Sequence, residues 1–194
     1  AGIKKIYIGV GGLSLRSVKN SETRQLGDDT RISQAIIDSM MEANMDTPLM
    51  DYEILAVEPQ EYKVGNNLLT EPVGTTASSI EGNYLNIIAR PSVKQNIRQC
   101  LSHTGYEIAG FTISPMATAD TVLTTNEKRS GCALIDFGAD TTTVAIYKNN
   151  ILRHVCVIPL GGNNITKDIC SKQIEEDDAE LIKLRYASAY TEHK

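Results

Sequence analysis

The chain has 194 residues, a net charge of −5, and 41% hydrophobic against 22% charged residues, the make-up of a globular protein with one or two cores. The acidic balance and scattered Lys and Arg exclude nucleic-acid binding driven by long-range attraction. No apolar run approaches the roughly 18 to 20 residues a membrane span needs and no secretory leader pattern opens the chain, so the expectation is a cytosolic protein.

In chain order, Ile3 to Val10 predicts a strand with Ile6 and Ile8 on one face, ended by Gly9, Gly11 and Gly12. Ser14 stands where a dinucleotide fingerprint needs its third glycine, so these glycines read as a turn. Asp28, Asp29 and Thr30 offer N-cap oxygens to a helix with Ile32, Ala35, Ile36, Met40 and Ala43 at helical spacing. Strands are predicted over Ile54 to Val57 and Glu61 to Val64, around Pro59, with a loop or irregular hairpin from Gly65 to Asn83. Tyr84 to Ala89 predicts another strand. Ser92 and Gln95 form a capping-box pattern before a helix with Val93, Ile97, Cys100 and Leu101 on one face. Gly105 sits where a helix C-terminus wants a left-handed residue. Ile108 to Ile113 then leads to Ser114-Pro115, with Pro115 as first helical residue of a segment reaching about Leu123.

Ala133 to Ile135 makes a short apolar strand that runs at once into Asp136-Phe137-Gly138-Ala139-Asp140-Thr141-Thr142, and Val144 to Tyr147 returns as a second strand. The small and hydroxylic residues therefore sit at a hairpin tip, whose backbone N–H groups can turn toward an anion. Asp136 could hold Mg²⁺ through water, since that ion needs only one or two carboxylates beside phosphate oxygens. Asn149 and Asn150 suit a turn with positive φ. After a strand over Ile151 to Pro159, Gly161, Gly162, Asn163 and Asn164 open a helix whose positive end is a second place for an anion. Asp177 can cap the last helix, on which Glu180 and Lys183 share a face as a surface ion pair. Cys100, Cys132, Cys156 and Cys170 show neither a C-x-x-C pair nor ligand spacing with His103, His154 or His193, which predicts reduced, buried or half-buried thiols.

The strand-Asp-x-Gly-small-x-Thr hairpin resembles the second phosphate motif of the actin, heat-shock-chaperone and sugar-kinase ATPase superfamily. The run Val157-Ile158-Pro159-Leu160-Gly161-Gly162-Asn163-Asn164-Ile165-Thr166-Lys167-Asp168-Ile169, with Ala179-Glu180-Leu181-Ile182-Lys183-Leu184-Arg185, resembles the FtsA family of bacterial cell division. Pro59-Gln60-Glu61-Tyr62 and Glu71-Pro72-Val73-Gly74 carry the likeness upstream. It implies a mixed α+β and α/β chain: an actin-like ATPase fold fragment with an FtsA-type inserted 1C (SHS2-like) subdomain. It divides the chain into 1–108, the 1C interaction subdomain; 109–131, the crossing helix of 1A; and 132–194, the first part of 2A.

The resemblance implies ATP and Mg²⁺ as cofactors of a longer parent. Gly138, Ala139, Asp140, Thr141, Thr142, Gly161, Gly162 and Asn163 would lie at its phosphates, Asp136 at the metal, and Glu180 and Lys183 at ribose and adenine. FtsZ and later division proteins would be partners, with self-association into filaments and peripheral contact with the cytoplasmic membrane through a segment outside this stretch. Asp140 stands where many relatives have Gly, and a carboxylate beside polyphosphate repels it unless it points away. The first phosphate hairpin has no counterpart here, since Ile6 to Val10 holds no Asp, so this stretch alone is expected neither to bind ATP tightly nor to hydrolyse it. Ser114, where relatives that hydrolyse ATP carry an acid or amide, is a poor base, and the parent is at most a weak ATPase. The alternatives are a pilus-assembly relative with the same insertion and a superfamily phosphotransferase.

Overall fold

The computed structural model describes residues 2–190; His193 lies outside the described residues. In order come β1 (Lys5–Val10), β2 (Arg16–Arg31), α1 (Gln34–Met45), β3 (Glu53–Val64), β4 (Asn67–Leu69), β5 (Thr76–Ala89), α2 (Ser92–Leu101) and β6 (Glu107–Ile113). Then follow α3 (Ser114–Val122), α4 (Thr125–Ser130), β7 (Cys132–Phe137), β8 (Thr142–Lys148), β9 (Ile151–Ile158), α5 (Gly162–Cys170) and α6 (Glu176–Tyr186). A seven-stranded sheet runs β4-β3-β5-β2-β9-β8-β7, and β1 and β6 pair in parallel as a sheet of two. The large sheet joins its halves at a single residue pair, Arg16 with Cys156; side chains reinforce the seam, where Arg153 of β9 meets Glu61 of β3 at 2.6 Å. Arg153 hydrogen-bonds that carboxylate and holds it below its ordinary pKa.

The apolar end of β5, Tyr84 to Ala89, is buried on both faces because β2 and β3 flank it and side chains cover each side. On one face Leu85, Ile87 and Ala89 pack with Leu15, Ile113, Ala119, Ala145, Tyr147, Leu152 and Val155. On the other, Ile80 and Tyr84 pack with Ile32, Ile37, Met40, Tyr62 and Val64 under α1. Burial there pushes the Tyr84 phenol far up from its ordinary pKa. Beside this second cluster is a buried amide relay: Asn20 Nδ2 donates to Asn44 Oδ1 at 2.8 Å, and Asn44 Nδ2 donates to Asn86 Oδ1 at 2.7 Å.

Several local expectations are corrected. Asp28 and Thr30 cap nothing; they belong to β2, whose pairing with β5 shifts register between Gln25 and Thr30, and Asp29 takes φ +55° there. The α1 N-cap is Ser33, and the helix turns Ile37 and Asn44 inward while Ala35 and Ala43 are exposed. Glu53–Val64 is one strand that absorbs Pro59 by shifting register beside it. The region from Gly65 to Asn83 contains β4 and half of β5. Pro91, not Ser92, occupies the N-cap of α2 and no side chain caps it. Glu175 precedes α6, so Asp177 lies inside its first turn. Cys100 is exposed, and the other three cysteines are half-buried. Gly12 at φ +103°, and Asn149 and Asn150 at +56° and +63°, make their turns as the sequence implies, whereas Gly105 is left-handed at φ +74° but lies in the turn beyond the α2 C-cap, Ser102. Pro115 stands in the first turn of α3.

Asn44→Ala is expected to destabilise the fold by about 1–3 kcal/mol, because it leaves the buried Asn86 amide without its partner. A urea titration reads this as a lower midpoint, and an unchanged midpoint would show that the relay contributes nothing.

Candidate functional site

The residues of the two glycine-containing bends meet at one corner of the sheet. Asp136 and Phe137 end β7 opposite Thr143 and Thr142, and the tip 138–141 crosses between the strands. Gly138 donates its N–H to Thr141 O at 2.9 Å, closing the tip on itself. The N–H groups of Ala139, Asp140 and Thr141 have no protein acceptor among the described residues, and Ala139 and Asp140 are exposed. Three successive amides at a turn form the kind of concavity that takes an anion.

The second bend is seated directly on the first. Gly162 N–H donates to Gly138 O at 2.9 Å and Asn163 N–H to Ala139 O at 2.7 Å. Gly161 N–H donates to Asn164 Oδ1 at 2.8 Å. The first amides of α5 are thus satisfied inside the protein, and what the helix adds to the corner is proximity and the positive end of its dipole. Thr142 is buried with its Oγ1 donating to Leu160 O at 2.7 Å, which ties β8 to the segment entering α5. Gly161 has an extended φ that any residue adopts, so its requirement is space: a Cβ there would strike the carbonyl oxygens of Ala139 and Gly138.

The charged groups are paired off or free in a definite pattern. Asp140 accepts from Asn163 Nδ2 at 3.0 Å, which turns its carboxylate toward α5. Asp136 is exposed and has no side-chain partner among the described residues. From α6, Lys183 meets Glu180 at 2.6 Å; the Lys183 hydrogen bond and then that of Thr166 hold the Glu180 carboxyl below its ordinary pKa. Lys183 also reaches Thr166 Oγ1 at 2.9 Å and Gly162 O at 3.3 Å, fastening α6 over the start of α5. Thr166 entered the sequence reading only within the family-like run and not as a site residue, although a hydroxyl one turn beyond Gly162, free to bond back to that carbonyl, was the available sign. No group of three or more His, Cys, Asp or Glu gathers as a metal site among the described residues. Ser114 is half-buried at the start of α3, its Oγ against Gly9, where an added Cβ would come within 2.7 Å of it. His154 is exposed, 3.2 Å from Ser17 Oγ.

Comparison with known proteins places these residues in a family context. The model for "Cell division protein FtsA" matches residues 133–194, and that for "SHS2 domain inserted in FTSA" matches 12–88. The chain is 30% identical to FtsA of Porphyromonas gingivalis over 99% of its own length and 40% of that protein's. It is 32% identical to FtsA of Neisseria meningitidis over 96% of this chain and 46% of that one. The chain therefore spans less than half the length of these relatives. Among solved structures, a chain of the PilM-PilN type IV pilus biogenesis complex superposes with a TM-score of 0.61 at 14% identity, covering 94% of this chain and 51% of that one. The mixed α/β fold with an inserted SHS2 domain is thus that of the expectation.

Gly161→Ala is expected to lower stability by about 1–3 kcal/mol, since backbone carbonyls cannot yield to the new methyl as a side chain can. Gly162→Ala meets only ordinary contacts, the nearest 3.6 Å away at Lys183 Nζ, and is expected to cost much less. Equal denaturation midpoints for the two variants would contradict the close seating of the bends.

Proposed function

Because the chain belongs to the FtsA family of cell-division proteins, we propose that it is the part of an ATP-binding, filament-forming division protein that carries its second phosphate hairpin. The reading rests on one observation: the unpaired amides of Ala139, Asp140 and Thr141 share a corner with the α5 N-terminus and the Glu180–Lys183 pair. Those amides would take phosphate oxygens, with the positive end of α5 behind them. The contact of Asp140 with Asn163 keeps one negative charge from facing the phosphates directly. Asp136 fits an outer-shell role toward Mg²⁺ because it is exposed at the strand end and unpaired among the described residues, and bound Mg²⁺ would neutralise polyphosphate charge. Glu180 would face the sugar.

In this reading hydrolysis is slow or absent, since Ser114 offers no basic group. The remaining functions belong to the longer protein: contact with FtsZ and later division proteins, filament assembly, and attachment to the inner face of the cytoplasmic membrane. The first 108 residues are proposed to supply the interaction subdomain, 109–131 the crossing segment, and 132–194 the start of the nucleotide domain. Among the described residues no helix is long and apolar enough to cross a membrane, so attachment would have to be peripheral or lie elsewhere. A pilus-assembly role has behind it a likeness of fold at 14% identity.

Calorimetry on the full-length protein tests the reading. Asp136→Ala is expected to weaken ATP binding about tenfold with Mg²⁺ present, the usual scale for an outer-shell metal partner, and to leave it unchanged without Mg²⁺. Unchanged affinity in both conditions would remove Asp136 from the metal, and no binding by the unaltered protein would remove the nucleotide.

A further inference from the structure

The cluster joining α5 to α6 has an asymmetry that assigns a role to Thr166. Lys183 spends its ammonium protons on Glu180 Oε2, Thr166 Oγ1 and Gly162 O, which leaves none for a ligand. Thr166 accepts from Lys183, so its own proton goes to the nearer acceptor, Glu180 Oε2 at 2.7 Å, in preference to Gly162 O at 3.4 Å. Glu180 Oε2 therefore receives two donors, and Oε1 has no partner among the described residues. The lysine charge is cancelled within the cluster. What the cluster presents is a single carboxylate oxygen, which attracts a hydroxyl donor and repels an anion.

Thr166 is 4% exposed, and its β-branch restricts χ1. It is the one uncharged member and is fixed by packing, whereas the stems of Glu180 and Lys183 are flexible. We propose that Thr166 is the positioning residue that holds Glu180 with Oε1 outward, so that this corner selects the hydroxyl-bearing nucleoside part of a ligand and contributes nothing to its phosphates. This rests on the nucleotide reading above and adds to it the side chain that orients the sugar-facing carboxylate.

The test measures Kd of the full-length protein for ATP and for inorganic tripolyphosphate, in Mg²⁺, with Thr166→Val and Thr166→Ser. Valine keeps the shape and removes the hydroxyl; serine restores it. ATP affinity is expected to fall about tenfold in the valine variant, the scale of one lost hydrogen bond to a charged group, while tripolyphosphate affinity stays as it was and serine recovers most of the loss. Unchanged ATP binding in the valine variant, while the unaltered protein binds ATP, would overturn the role of Thr166 and leave the nucleotide reading standing. An equal fall for both ligands would also overturn it, because Thr166 would then be supporting the α5 start as a whole. No ATP binding by the unaltered protein would overturn the nucleotide reading and this inference together. Should the valine variant fail to fold, Thr166→Ala removes the same hydroxyl with less bulk, and the same outcomes decide.

Discussion

The contact between two carbonyl groups of the 138–141 tip and the first two amides of α5 organises the site. Gly138 O and Ala139 O accept from Gly162 and Asn163, which brings chain segments more than twenty residues apart into one corner and consumes the helix-end donors in doing so. With those carbonyls turned onto α5, the amides of Ala139, Asp140 and Thr141 are left without partners among the described residues. The glycine at 161 follows from this contact, since any side chain there would separate the two bends. A helix end whose donors are already used still presents its dipole, so the corner combines free hairpin amides with a favourable field.

Charge in the corner is arranged with the same economy. Asp140 leans on Asn163, and Glu180 and Lys183 neutralise each other beside Thr166. Asp136 remains as an uncommitted carboxylate at the strand end. A polyphosphate approaching the tip would therefore meet N–H groups and one metal-ready carboxylate, without a lysine aimed at it. Under the proposed reading this would be half of a site, with a second hairpin supplying the rest of the charge balance.

How legible the molecule was in its sequence depended on whether a residue acted locally. The hairpin strands 132–148, the Asn149-Asn150 turn, Gly105 and Pro115 were readable because φ preference and β-formers decide them within a few residues. Strand β2 was not, because RSVKNSETRQLGDDTR carries only Val18 and Leu26 as apolar residues; it is held as a strand by its ladder with β5, and tertiary pairing overrode its composition. Caps misled where oxygen-bearing side chains were plentiful: Asp28, Ser92 and Asp177 could each have capped a helix, and the packing of α1, α2 and α6 set the ends elsewhere. A cap that does form, Thr124 with Glu127 ahead of α4, went unread because no apolar period follows it. The glycines at 161 and 162 signalled a close approach, but the sequence could not say whether the neighbour would be a ligand or the hairpin's own carbonyls. Thr166 bonds to Glu180 and Lys183 on another helix, and its local spacing reports only the bond back to Gly162 O.

The most direct measurement follows backbone amide resonances of the ¹⁵N-labelled full-length protein while Mg²⁺ and ATP are added. If the tip is an anion site, the amides of Ala139, Asp140 and Thr141 shift together and saturably, while those of Gly162 and Asn163, already bonded to the tip, move less. If ATP binds and these three amides stay in place, or if the shifts centre on a different part of the chain, the corner is a packing contact and not a phosphate site.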